Sequence, residues 1–266
     1  MKDGNMISYL RELTRYRDLL WRWVVRSIKV RYKQSLLGVA WAILQPLSTT
    51  LLFTLIFSVF LRIDTGGVPY PIFYYSALLP WTFFASSISI GVNSLVSNLG
   101  LVTKIYFPKE ILPISAVLAS FVDFAVAGII YVALMLLYRV PVGPSLILLP
   151  VLLAIQILLT IGVVMLASAL NVFYRDIRFI VPLGIQLWMY ITPIIYPVSQ
   201  VPERFRTLYM TVNPMAGLID AYRRIVLTAD WPQGPYLLSS AVISIAVFLA
   251  AYWYFKKAEP VFADII

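Results

Sequence analysis

The chain has 266 residues, of which 61% are hydrophobic and only 12% charged, a balance that excludes an ordinary soluble domain of this size. It contains no cysteine and no histidine, which excludes disulfides, thiol chemistry, imidazole-based proton relay and histidine metal ligation. The net charge of +9 would suit a nucleic acid, but the cations are distributed as membrane topology requires, so no nucleic-acid partner is expected.

The first predicted element is a basic amphipathic helix within residues 1–35. Arg11, Arg15, Arg22, Arg26, Lys29 and Lys33 fall within an arc of about 60° at a helical step of about 100° per residue. Leu10, Leu13, Leu20, Trp21, Val24 and Ile28 lie opposite, interrupted only by Arg17 and Arg31. A helix of this kind lies in a membrane interface, cations toward headgroups and apolar side chains toward acyl chains. A solvated basic helix is the plainer alternative, but an apolar run follows at once. The polar-rich stretch ahead of that run leaves no secretory signal to expect.

Six apolar stretches long enough to span a bilayer follow, at Leu36–Leu61, Ile72–Val96, Ile111–Tyr138, Leu146–Phe173, Ile177–Tyr196 and Leu237–Phe255. With the amino terminus inside, 15 of the 21 cations lie on the inner side, and both termini are cytoplasmic. The expected fold is an all-α membrane protein: one domain over residues 1–266, with an interface helix at 1–35 and a six-span bundle at 36–266. Pro46, Pro80, Pro113, Pro150, Pro182 and Pro193 fall within the spans, where they mark kinks and close packing. Small residues such as Ser86, Ser89, Ala167 and Ser168 allow helices to approach closely.

The connection between the last two stretches is the longest, and it is not a plain loop. Pro202 opens a short helical pattern over Glu203–Met210, carrying Phe205. Asn213-Pro214 reads as a helix cap followed by a first-turn proline, and Met215, Leu218, Ile219 and Tyr222 continue at helical spacing. Two short helices re-entering the outer leaflet would use such a stripe, with Arg204, Arg206, Arg223 and Arg224 left near water or lipid phosphate. A surface hairpin packed on the spans is the alternative.

Little in the chain points to catalysis. There is no glycine-rich phosphate loop, so no nucleotide chemistry is expected on this chain. Asp123 is the one acid deep in a span, a candidate for touching cargo or for a helix–helix hydrogen bond. Aromatics make up 15% of the residues. Phe53, Phe57, Phe60, Trp81, Phe84, Trp188 and Tyr190 are candidates to line a path on which flat rings meet sugar rings, with Asn93 among the polar spots along it. Interfacial belts explain aromatics of this kind equally well residue by residue.

An ordered set of motifs then resembles one family. Ser35-Leu36-Leu37-Gly38 with Trp41 and Gln45-Pro46, then Lys104-Ile105-Tyr106-Phe107-Pro108-Lys109-Glu110, are followed by Asn171 with Tyr174-Arg175-Asp176, Tyr196-Pro197 and Asn213-Pro214. Together they resemble the polysaccharide-export ABC transporter permeases, most closely the O-antigen-exporting, Wzm-like group, with capsule and teichoic acid permeases as near relatives. The resemblance implies a homodimer in the bacterial inner membrane that binds two cytoplasmic ATPase subunits. ATP and Mg would sit on those partners and no cofactor on this chain. It implies a polyprenyl-diphosphate-linked polysaccharide as cargo, moved through a channel between the two copies. It also implies a coupling helix at Lys104–Glu110 and an outer gate that includes Pro202, Phe205, Asn213, Pro214, Met215, Leu218 and Tyr222. A secondary flippase for lipid-linked sugars would need ionisable groups at mid-membrane, where Asp123 stands alone. A membrane transferase would need acid or base pairs that the sequence lacks.

Overall fold

The computed structural model describes residues 15–33, 35, 37–103 and 106–262; Leu10, Arg11, Leu13, Leu36, Lys104 and Ile105, all named above, lie outside the described residues. All regular structure among the described residues is helical. Helix α1 (Arg17–Tyr32) follows the amphipathic pattern, burying Val24 and lying along the later helix Ile111–Leu137. A single turn at Gly38–Ala40, where Gly38 takes a φ of +50°, leads into α2 (Trp41–Thr54), which continues as a widened turn over Leu55–Phe60. Pro46 lies inside α2 and cannot donate to the preceding turn. The Thr49 and Thr50 hydroxyls fold back onto the Pro46 carbonyl at 2.9 and 2.7 Å.

Helix α3 (Tyr70–Gly91) is the centre of the bundle, with 16 of its 22 residues buried. After it come α4 (Leu99–Val102), α5 (Ile111–Leu137), α6 (Leu149–Phe173) and α7 (Ile177–Ile191). Helix α8 (Glu203–Val212) is joined through Asn213 to α9 (Pro214–Arg223), which widens over Arg224–Thr228 and stops at Ala229 with a left-handed φ of 57°. Helix α10 (Gly234–Ala258) ends the bundle, with a last turn at Glu259–Val261.

Four helical stretches, Trp41–Phe60, Ile111–Leu137, Pro144–Phe173 and Gly234–Val261, are long and apolar enough to cross a membrane. Helix α3 has the length, but tyrosines, serines and prolines dilute its apolar character. Enclosed by α2, α5, α6, α7 and α9, it needs little lipid-facing surface. The fifth expected stretch ends five residues early. Thr192 is extended (ψ 141°) because Pro193 disfavours helical backbone in the residue before it. The 15 residues of α7 span about 22 Å, short of the ~30 Å of bilayer hydrocarbon.

The most extensive helix pairing is α6 with α10, and Gly162 permits it. A Cβ there would lie 2.9 Å from the Phe248 Cα and 3.0 Å from its backbone nitrogen. Gly217 plays the same part between α9 and α10, where a Cβ would lie 2.9 Å from the Tyr236 carbonyl oxygen. Two apolar cores result. One surrounds α3 and α9; the other, at the opposite end, gathers Leu95, Val102, Phe107, Ile111, Phe255 and Phe262.

Candidate functional site

A cleft of about 670 Å³ runs between α2, α3 and α5. Arg31 and Tyr32, from the last turn of α1, and Ser35 close one end, and Met189 of α7 touches another side. Trp41, Phe53, Tyr74, Trp81, Phe83 and Phe124 are among the residues that line it, with Tyr74, Trp81 and Phe83 otherwise buried in the core. Phe53 and Tyr74 stack with centroids 4.9 Å apart, and Phe57 and Tyr70 extend the stack. Offset stacking of this kind is a preferred arrangement of aromatic pairs and orders these rings against one another. Gln45, Thr49, Thr82, Ser86, Ser89 and Ser120 place hydroxyl and amide groups among the rings.

Asp123 is not the solitary acid that the sequence places in a span. It ion-pairs with Arg31, and the Tyr32 hydroxyl donates to its other oxygen at 2.6 Å. A partly buried carboxylate with a cation and a phenol on it is electrically compensated. The signal for this partner is in the sequence, since Arg31 is one of the two cations that interrupt the apolar side of α1.

Only part of the expected aromatic path meets at the cleft. Phe53, Trp81 and Asp123 line it, and Phe57 backs it. Phe84 is fully buried against Trp188, edge to face at 5.2 Å, and serves the core. Phe60 and Tyr190 are exposed on the outer surface of the chain, and Asn93 lies away from the cleft, within 3.4 Å of Asn171 Nδ2. Trp41, Gln45, Thr49, Tyr74, Phe83 and Phe124 line the cleft as well, and helical spacing alone does not say which face meets a gap between helices.

The capping expected at Asn213 is present, its side chain accepting from the Ala216 amide at 3.3 Å. The same oxygen accepts from Trp188 Nε1 at 3.0 Å, and Asn213 Nδ2 donates to Thr192 Oγ1 at 3.1 Å. Helix α9 is sealed inside the bundle: Pro214, Met215, Leu218 and Tyr222 are all buried. The Tyr222 hydroxyl donates to Gln156 Oε1 at 2.8 Å, and Gln156 Nε2 donates to the Pro80 carbonyl at 2.6 Å. A gating role for Met215, Leu218 and Tyr222 therefore requires α9 to move as a unit. Pro202 and Phe205 lie on exposed parts of the segment, before and on α8.

Arg223 corrects the expectation that the outer arginines stay near water. It is 7% exposed. Its two Nη atoms donate to the carbonyls of Pro193 (2.6 Å) and Ile194 (2.7 Å), with longer contacts to Tyr196 and Phe73 (3.4 and 3.5 Å). The guanidinium also lies 3.7 Å from the centre of the Phe73 ring. The break that shortens α7 frees carbonyls, and Arg223 supplies their donors. Arg224, by contrast, pairs with Asp220 at 2.8 Å on the same helix.

In the loop before α5, Tyr106 is 86% exposed whereas Phe107 is packed into the second core. Phe107 packs with Val102, Ile111 and Phe262, so of the two aromatics only Tyr106 faces solvent. Pro108 is buried too. The Lys109 backbone amide donates to Glu259, and Glu110, almost fully buried, pairs with Lys256 at 2.7 Å. Burial pushes the Glu110 carboxyl above the usual carboxylate range, and Lys256 beside it pulls it back.

Residues 18–227, most of this architecture, match the family described as ABC-2 type transporter. The chain belongs to the ABC-2 transporter family. With several helices apolar enough to cross a bilayer, it is a multi-pass membrane protein. It is similar to the O-antigen export system permease protein RfbA of Myxococcus xanthus, 32% identical over 98% of this chain and 100% of that one. A protein of the same name from Klebsiella pneumoniae is 33% identical over 94% of this chain and 95% of its own length. The polysialic acid transport protein KpsM of Escherichia coli is more distant, at 22% over 86% and 90%.

Proposed function

We propose that this chain is the transmembrane subunit of an ATP-driven exporter that moves a polyprenyl-diphosphate-linked polysaccharide, of the O-antigen kind, outward across the bacterial inner membrane. Two copies enclose the channel, and the exposed apolar faces of α2 and α7 are what a second copy would cover. The six crossings are α2, α3, α5, α6, α7 with the segment after it, and α10. Both termini are cytoplasmic, and α8 and α9 enter from the outer side. ATP and Mg belong to two separate ATPase subunits. The cargo is the class named for the Myxococcus and Klebsiella relatives; the alternative is another cell-surface polymer, such as the capsule and teichoic acid polymers of the families the sequence resembles, and the Escherichia coli relative is named for polysialic acid.

The observation that carries this reading is the cleft. A lining of aromatic side chains with scattered hydroxyls suits neutral polyhydroxylated rings, offering apolar contact without a tight polar stop. A secondary flippase is less well supported, since the acid available for ion coupling is occupied by Arg31 and Tyr32.

Ser86→Trp, which adds bulk to the cleft wall, is expected to abolish most export at normal protein levels. Ile129→Trp on the exposed face of α5 should leave export unchanged. Surface polymer assayed in cells decides it, and normal export by the Ser86 variant would remove the cleft from the path. For the ATPase contact, Tyr106 takes the role of anchor. Its replacement by Ala should weaken binding by about 2 kcal/mol or more, roughly 30-fold, as for an aromatic hot spot. Co-purification and titration of the two subunits measure this, and unchanged affinity would place the contact elsewhere.

A further inference from the structure

The cluster around Lys256 has no part in the cleft, yet it joins two segments far apart in sequence. Lys256 Nζ lies 2.7 Å from Glu110 Oε1 and 2.9 Å from Glu259 Oε2. Glu259 Oε1 accepts from the Lys109 backbone amide at 3.2 Å, and Lys109 Nζ donates to the Glu259 carbonyl at 3.1 Å. Glu110 is only 1% exposed. Beneath these charges Phe107, Phe255 and Phe262 pack in the second core, with Phe255 and Phe262 edge to face at 5.3 Å. The loop bearing the exposed Tyr106 is thus bound, by charge and by rings, to the end of a helix 150 residues further along the chain.

We propose that Lys256 is a positioning residue of the energy-coupling step, forming with Glu110 and Glu259 the joint that delivers movement of the Tyr106 loop to α10. This rests on the reading above, in which an ATPase docks on that loop. Helix α5 receives such movement through the covalent chain. Helix α10, distant in sequence, meets the loop directly at this joint and in the core beneath it. From α10 the movement has a direct onward route. At Gly162 and Gly217, α6 and α9 approach the α10 backbone so closely that a Cβ would not fit. Coupling between distant sites needs packed elements and networks of this kind, and here each contact in the chain is identified.

The Glu110–Lys256 pair can be removed together, leaving Glu259 partly exposed and still accepting from the Lys109 backbone amide. The double variant Glu110→Gln with Lys256→Met deletes both partners, a change that buried ion pairs generally tolerate. In the permease purified with the ATP-binding subunit of its own organism, this variant should keep its thermal stability, its assembly and its ATP hydrolysis. Polymer exported per ATP should fall about tenfold, within the range of coupling energies between sites. Lys256→Arg, which retains a donor for both carboxylates, should restore the ratio. If the double variant exports normally per ATP while Tyr106→Ala still weakens ATPase binding, the joint is overturned and the docking reading stands. If the wild-type chain does not bind the ATP-binding subunit, both fall.

Discussion

Arg223→Met is expected to be among the most destabilising single substitutions in this chain, costing about 4 kcal/mol or more, beyond the ~0.5–3 kcal/mol of most substitutions. The guanidinium serves the carbonyls of Pro193 and Ile194 at 2.6 and 2.7 Å in a site closed to solvent. Each buried acceptor left without its donor costs about 1–3 kcal/mol, and loss of the contact with Phe73 adds to that. Removing a buried charge recovers its desolvation cost, which is why deleting both partners of an ion pair is often harmless. That offset fails here, because the acceptors are backbone atoms and remain. Lys should rescue poorly, since a point charge cannot replace a planar fork that reaches carbonyls on both sides. Thermal unfolding and the yield of monodisperse protein in detergent measure the effect, with Arg204→Met, on the exposed side of α8, as a near-neutral control. An Arg223→Met protein as stable as the wild type would mean that these carbonyls have other donors.

The second large effect is expected at Gly162. A methyl group there meets the backbone of Phe248 and Val247 at 2.9–3.2 Å, and backbone cannot swing aside as a side chain can. Helices α6 and α10 must separate along their whole contact, so Gly162→Ala should destabilise by about 1–3 kcal/mol and Gly162→Leu by more. Gly128, in α5 with open space around it, gives the opposite sign. There Ala should stabilise by up to about 1 kcal/mol, because only the helix-propensity gain remains. Melting temperatures of the two Ala variants, measured in parallel, test the contrast. A shift of the same sign at both sites would remove close helix approach as the reason for Gly162.

Much of the architecture can be read from sequence because its causes are local. The basic stripe of α1 follows from helical spacing alone, and the start of α9 from an Asn cap and a proline that act within three residues. The break at Thr192-Pro193 is local as well, and an apolar run that extends past it to Tyr196 conceals it. Family membership shows through ordered short motifs for the same reason. What lay out of reach are meetings between groups far apart in the chain. Asp123 finds Arg31 across 92 residues, and Arg223 finds the carbonyls freed by the α7 break across about 30. Periodicity marks Arg31 as misplaced on its helix but does not name its partner. It marks Tyr106 and Phe107 as neighbouring aromatics but does not say that one faces solvent and the other a core. Short-range sterics and spacing determine where helices begin, end and turn their apolar sides. Which buried polar groups are satisfied, and which gap between helices stays open as a cleft, depends on how all the helices pack at once, and only the tertiary structure decides that.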